Sequence, residues 1–284
     1  MNPLLKGALL IIASEFCLVS SGIFIRQVSA DLPTEVTVLM RNLLGLVVLL
    51  PLIFHAGITT LKTDRIRLHL VRSLLGVAAM SCLFYAWANL PLAQAALLKQ
   101  TAPFFIPIFA FFWLGERIAP MVKWAILLGF SGVLLVLQPQ EGMLNIAVLV
   151  GLGGAMLGSL AKVVIRRMGD TESAIRIVFY FALFGSCFAA LPAAMNWVTP
   201  TLVHLPWLLG LAVSSTLAQL LLSRAYLLAP AGFLSPFTYS SVMIAAVAGW
   251  LIWNETLNLM TWGGMLLICF AGVLALVRRK PKQI

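Results

Sequence analysis

The sequence predicts an all-α integral membrane protein of ten transmembrane helices, built as two five-helix units of opposite orientation. Three observations carry that prediction: composition, the distribution of charge, and an internal duplication. Hydrophobic residues make up 62% of the 284 and charged residues 10%, against roughly 45–50% and 25% in soluble domains. A soluble core of this size cannot hide so much apolar surface. A bilayer can, because each helical span takes about 20 apolar residues.

The apolar stretches read as spans at 4–26, 34–56, 70–89, 92–114, 121–138, 144–165, 174–194, 204–227, 230–252 and 259–277. Pro91 separates the third from the fourth. The first is read as a span and not a cleaved leader, because no small-residue cleavage site lies between Lys6 and the polar Arg26-Gln27. No soluble domain is expected around or between the spans. Trp87, Trp113, Trp124, Trp197, Trp207, Trp250, Trp253 and Trp262 fall near span ends, as an interfacial belt requires. Cys17, Cys82, Cys187 and Cys269 lie in four different spans without metal-ligand spacing, and are expected to be buried and inert.

The net charge of +10 reflects topology and not a nucleic-acid partner. If the N-terminus is cytoplasmic, the inside segments carry Lys6, then Lys62, Arg65, Arg67 and Arg72, then Arg117 and Lys123, then Arg166, Arg167 and Arg176, and a tail of Arg278, Arg279, Lys280 and Lys282. The outside connectors carry only Arg26. This positive-inside bias places both ends in the cytoplasm, which requires an even number of spans.

Residues 1–139 and 140–284 read as two copies of one unit. Pro91 precedes a span that closes on Leu114-Gly115-Glu116, and Pro230 precedes one that closes on Trp253-Asn254-Glu255. The last spans share Phe130-Ser131-Gly132-Val133-Leu134 and Phe270-Ala271-Gly272-Val273-Leu274. Arg26 and Arg167 follow the first spans, and Leu50-Pro51 and Leu191-Pro192 close the second. Because five is odd, the second unit inserts upside down, with Glu116 and Glu255 on opposite sides. Inverted repeats suit alternating access around a site near the midplane.

These motifs, over essentially the whole chain, resemble the drug/metabolite transporter superfamily in its ten-helix EamA branch; Asn254 departs from the glycine usual before the glutamate. The resemblance implies a cavity lined by spans three, four, eight and nine, and edge helices five and ten where some members form a homodimer. It also implies a bacterial inner-membrane location.

Charges in hydrocarbon cost roughly 2.5–3.5 kcal/mol each, so each is a candidate site. Glu15 lies about 15 Å into its span, and Arg41 and Lys99 about 10 Å from the other side, by helical rise. All three therefore reach similar depth, and Glu15 is expected to pair with Lys99 or Arg41. Lys162 and Arg224 sit close enough to span ends to snorkel. Beside Lys99 stand Gln100 and Thr101, followed by Pro103 and Pro107, whose rings remove backbone donors and bend the helix. The matching stretch of the second unit holds Pro236, Thr238, Tyr239, Ser240 and Ser241. Tyr85, Trp87 and Asn89 on span three and Ser214, Ser215, Gln219 and Tyr226 on span eight add groups for a small polar solute; Trp87 and Tyr226 read better as packing or anchoring. Gly151, Gly154 and Gly158 form a small-residue stripe for close packing. Glu116 and Glu255 read as helix caps.

The candidate substrate-binding set is therefore Lys99, Gln100, Glu15, Arg41, Tyr85, Tyr239, Ser240 and Gln219, with Pro103, Pro107 and Pro236 as kinks. The excess of buried positive charge favours a carboxylate-bearing or zwitterionic metabolite, carried by a secondary transporter, with export the expected direction. Glu15 is the deeply buried acid available to carry a proton. Alternatives are a proton-coupled exporter of cationic drugs using Glu15, and an importer of adenosyl, nucleoside or vitamin-type compounds. An enzyme is not expected. His55, His69 and His204 lie near span ends, and no HExxH, paired carboxylates or Gly-x-Ser-x-Gly occurs. No cofactor, metal or nucleotide-binding domain is expected.

Overall fold

A computed structural model describes residues 2–89, 98–137, 146–169, 171–253 and 259–277. Pro91, Asn254, Glu255, the basic tail from Arg278, and the side chains of Arg26, Trp87, Asn89 and Trp253 lie outside the described residues. Among the described residues, ten helices of more than one turn form the bundle: α1 (Pro3–Val28), α2 (Thr34–Ala56), α3 (Ile66–Asn89), α4 (Ala102–Leu114), α5 (Pro120–Leu137), α6 (Ile146–Arg167), α7 (Ala174–Met195), α8 (Leu205–Leu228), α9 (Ser240–Trp253) and α10 (Leu259–Val277). Seven apolar helical stretches are long enough to cross a bilayer, and α4, α5 and α10 are shorter apolar helices.

Local chemistry sets the ends. Asn2 caps α1 by accepting from Leu4 N at 3.0 Å, with Pro3 in the first turn where its missing donor costs nothing. Ser173 caps α7 by accepting from Arg176 N at 3.3 Å. The α4 terminus turns on Gly115 at φ +68, a left-handed conformation that a Cβ would strain. Gly115 N bonds Phe111 O at 3.1 Å, the single bond of an αL cap, and Glu116 N bonds Ala110 O at 3.2 Å. The Leu114-Gly115-Glu116 string is thus a helix stop that delivers a carboxylate.

Helix packing shows the duplication directly. Helix α1 lies along α8, and α6 lies along α3. Likewise α2 meets α8 and α7 meets α3, while α4 meets α6 and the ninth span meets α1. The contacts α2–α7 and α5–α10 pair equivalent helices. Advancing every number by five reproduces the same set, as a pseudo-twofold between two units requires. The small-residue stripe is the seam between α6 and α3. A Cβ on Gly154 would come within 2.8 Å of Cys82 Cβ and 3.1 Å of Ala79 O, and one on Gly151 within 2.9 Å of Ala86 Cβ.

The fourth and ninth spans are both interrupted. Helix α4 begins only after a turn at Gln100-Thr101. The ninth span starts as one helical turn, Ala231–Leu234, passes through a 3-10 segment, Ser235–Tyr239, and resumes as α9. Pro103 stands in the first turn of α4, Pro107 inside it, and Pro236 at the start of the 3-10 segment.

Trp113, Trp124, Trp197, Trp207, Trp250 and Trp262 are exposed on the outside of the bundle. The expectation of buried cysteines needs correction. All four thiols are free, but Cys187 and Cys269 are exposed and Cys17 and Cys82 half-buried. In a bilayer protein an apolar outward face is as stable for a thiol as the core.

At one end of the bundle Glu172, between α6 and α7, gathers three donors. Thr63 Oγ1 lies 2.9 Å from Oε1, and Arg176 Nη1 and His69 Nε2 lie 3.1 Å from Oε2. Arg176 Nε also donates to Thr60 O at 2.6 Å, and Tyr180 OH to Leu61 O at 3.0 Å. Burial acts to raise the Glu172 carboxyl, but the bonds from His69, Arg176 and Thr63 win and hold it below its ordinary value. Its stabilisation is present above the unfolded carboxylate range and lost as pH falls through the lower folded value. Glu172→Gln is expected to lower thermal stability at pH 7 by roughly 1–3 kcal/mol. It should also flatten the loss of stability on acidification, read as melting temperature against pH in detergent. For the α3–α6 seam, Gly154→Ala should cost about 1–3 kcal/mol by overpacking. Gly158→Ala, whose Cβ would sit 3.7 Å from Ala79 Cβ, should leave the same melting temperature nearly unchanged.

Candidate functional site

The two interruptions face each other across the pseudo-twofold. Gln100 Nε2 donates to Ser241 Oγ at 2.7 Å, and both side chains are buried. The broken turns satisfy their own carbonyls with hydroxyls. Thr101 Oγ1 donates to Leu98 O at 2.6 Å, Ser235 to Gly232 O at 2.8 Å, Thr238 to Ser235 O at 2.8 Å and Ser240 to Phe237 O at 2.7 Å. From α6, Ser159 Oγ reaches Ala102 O at 3.1 Å.

Lys99 stands beside Gln100, one third exposed, with Nζ 3.9 Å from Oε2 of the buried Glu15. That is an ion pair but not a hydrogen bond, and Oε2 has no hydrogen-bond partner among the described residues. Lys162 on α6 lies within electrostatic reach of both Glu15 and Lys99. It is half-buried in the bundle, where the sequence suggested snorkelling towards the span end. Tyr226 on α8 is fully buried, within electrostatic reach of Glu15 and Glu116.

Arg41 takes no part in that pair. It donates to Ser215 Oγ at 3.0 Å and to Asn42 Oδ1 at 2.8 Å. Near it is Arg72, counted from sequence among the charges of a connector. Helix α3 begins at Ile66, so Arg72 is drawn inside the bundle and is 3% exposed. It donates to Gln219 Oε1 at 2.6 Å. Sequence reasoning missed it because the span was started four residues late; a basic residue inside an apolar helical pattern was the available signal.

Other candidates are placed differently. Tyr239 is fully buried among Val133, Val242 and Ile268, with its ring against Gly129 of α5, where a Cβ would clash at 2.5 Å. It packs against an edge helix and away from the Gln100 side, because the 3-10 segment turns every three residues and rotates it off that face. Ser240 is spent on its own turn, and Ser241 holds the position beside Gln100. Tyr85 stands on an exposed part of α3. Arg224 is exposed, consistent with snorkelling.

Glu116 is a cap between the two units. Oε2 accepts from Ala231 N at 3.0 Å, at the start of the ninth span, and Oε1 pairs with Arg166 Nε at 3.0 Å. Arg166 Nη1 in turn donates to Leu227 O at 3.1 Å, at the end of α8.

The comparisons agree with this architecture. The EamA-like transporter family matches twice, over residues 5–138 and 145–278. The pseudopaline exporter CntI of Pseudomonas aeruginosa is 33% identical over 283 residues, covering 99% of both chains. A riboflavin transporter of Vibrio cholerae is 30% identical over 88% of this chain and 86% of its own. An S-adenosylmethionine uptake transporter of Rickettsia bellii is 31% identical over 78% of this chain and 76% of its own. A solved crystal structure, 18% identical, superposes with a TM-score of 0.83 over 95% of this chain and 98% of that chain, which shows a shared fold. With two family repeats, ten helices related by a pseudo-twofold and charged side chains enclosed between them, the chain belongs to the EamA-like transporter family and is a multi-pass membrane transporter and not an enzyme.

Proposed function

We propose that the chain is a secondary transporter that exports a small carboxylate-bearing or zwitterionic metabolite, of amino-acid type, by alternating access of residues 1–139 against 140–284. The observation that carries this is the loose Glu15–Lys99 pair beside the Gln100–Ser241 bridge. At 3.9 Å the two charges attract without a hydrogen bond, so a solute ammonium can take Glu15 while its carboxylate takes Lys99. Each partner of the separated pair then keeps an opposite charge, which avoids the several kcal/mol that an unpaired buried ion costs. Gln100 and Ser241 offer amide and hydroxyl groups to the same solute.

Export is supported by the name of the relative matched along its whole length. The positive-inside bias supports a bacterial inner membrane with both ends cytoplasmic. Glu15 is the group that would exchange a proton in the empty carrier, and a counter-solute would serve the same end. A second reading, import of a vitamin or adenosyl compound, is favoured by the riboflavin and S-adenosylmethionine transporters among the relatives.

Counterflow into proteoliposomes tests the assignment. Wild-type protein loaded with an amino-acid mixture should exchange labelled L-amino acids saturably. Lys99→Ala and Glu15→Gln should each reduce exchange by about tenfold or more, the loss expected when one charge-assisted contact is removed. Export of cationic dyes that is abolished by Glu15→Gln and indifferent to Lys99→Ala would move the assignment to proton-coupled drug export. Saturable exchange of riboflavin or S-adenosylmethionine alone would move it to the second reading.

A further inference from the structure

We infer that Arg41 and Arg72 form a second, wholly cationic subsite that receives a side-chain carboxylate of the transported solute. This rests on the transport reading above and narrows it to solutes with an amino-acid head and a further acidic arm.

Both guanidinium groups address one ring. Arg72 Cζ lies 3.6 Å and Arg41 Cζ 5.4 Å from the Phe181 centroid, and the two cations feel each other's repulsion. Every hydrogen-bond acceptor they engage among the described residues is neutral: Ser215, Asn42 and Gln219. Nε and Nη1 of Arg72 have no partner among the described residues. Among the described residues, no acid makes an ion pair with either guanidinium. Glu172 is taken by His69, Arg176 and Thr63, and Glu15 by Lys99. Two like charges held together inside a membrane protein without a counter-ion are costly, and removing one anion from such a set is the usual way to be left with them.

The site is also built to a shape. Gly76 stands one turn after Arg72, where a Cβ would lie 2.8 Å from both Arg72 Nη1 and Phe181 Cε2. The missing side chain leaves room for the guanidinium between helix α3 and the ring. Asn42 is fixed by its own bond from Nδ2 to Val38 O at 3.0 Å and by the close approach of Gly185, so its oxygen orients Arg41. A planar, fork-shaped donor held this way matches a carboxylate and not a spherical ion. Its depth inside the bundle keeps it away from lipid headgroups.

Glutamate and glutamine differ only in the carboxylate that this subsite would take. Thermal shift of the purified full chain in detergent, with L-glutamate or L-glutamine in chloride-free buffer, reads the difference. Wild type should be stabilised by glutamate at about tenfold lower concentration than by glutamine, by the usual strength of a charged hydrogen bond. Gln219→Glu places a carboxylate against Arg72. It should melt higher without ligand and lose the preference for glutamate. Arg72→Lys keeps the charge but not the fork, and should weaken the preference severalfold; it serves if Gln219→Glu does not fold. Equal shifts from both amino acids in wild type, absence of a shift with either, a preference unchanged in both variants, or chloride competing as well as glutamate would each overturn the subsite. Counterflow separates the two claims: a chain that exchanges amino acids without preferring glutamate keeps its function and loses this subsite.

Discussion

Hydrocarbon offers no hydrogen bonds, and that constraint shapes both broken helices. A helix that spans the membrane unbroken satisfies its own backbone. One that is interrupted frees carbonyls that must find donors within the protein. The fourth and ninth spans meet the requirement in the same manner, with a run of hydroxyl residues at the break. Ser235, Thr238, Ser240 and Ser241 each donate to a carbonyl three residues earlier. Thr101 does so in the fourth span, and Ser159 supplies a further donor from α6. Gln100 spends its amide on Ser241 of the other unit, which leaves Lys99, one third exposed, beside the break.

The same constraint sorts the buried charges into two kinds. Glu172 is saturated, with three donors on two oxygens, and ties connectors together at one end of the bundle. Glu116 is saturated as well, by Arg166 and a backbone amide. Glu15, with Oε2 unbonded, and Arg72, with Nε and Nη1 unbonded among the described residues, are under-committed. A structural ion pair gains from close geometry, because attraction must offset desolvation. The Glu15–Lys99 pair, left at 3.9 Å, forgoes that gain.

Much of the fold was legible because it follows from one-dimensional quantities. Span length, the bias of basic residues and the repeated Pro-to-Glu interval are all read along the chain. The Glu15–Lys99 pairing is of this type, since helical rise converts residue number into depth. What could not be read was azimuth. Lys162 and Arg224 look alike in depth, yet one is half-buried within electrostatic reach of Glu15 and the other is exposed. Tyr239 and Ser241 are two residues apart in a segment that leaves α-helical twist, and no 3.6-residue wheel predicts which of them meets Gln100. Arg72 was lost to a boundary: apolar residues mark where a span is certain, whereas helix α3 begins with the mixed run Ile66 to Val71, held by Glu172 through His69.

The duplicated motif does different work at different distances from the pseudo-twofold. At the centre, Gln100 and Ser241 join the two units through side chains that a rotation of one unit against the other displaces little. At the end of the bundle, the Leu114-Gly115-Glu116 turn of the first unit caps the start of the ninth span in the second, and Arg166 extends the tie to α8. A rotation moves this outer contact far more than the inner one, by simple leverage. The left-handed cap at Gly115 makes the contact depend on backbone geometry and not on a flexible side chain alone. The glutamate that ends the fourth span, conspicuous in the sequence as a family mark, is therefore a tie between the two units at one end of the bundle.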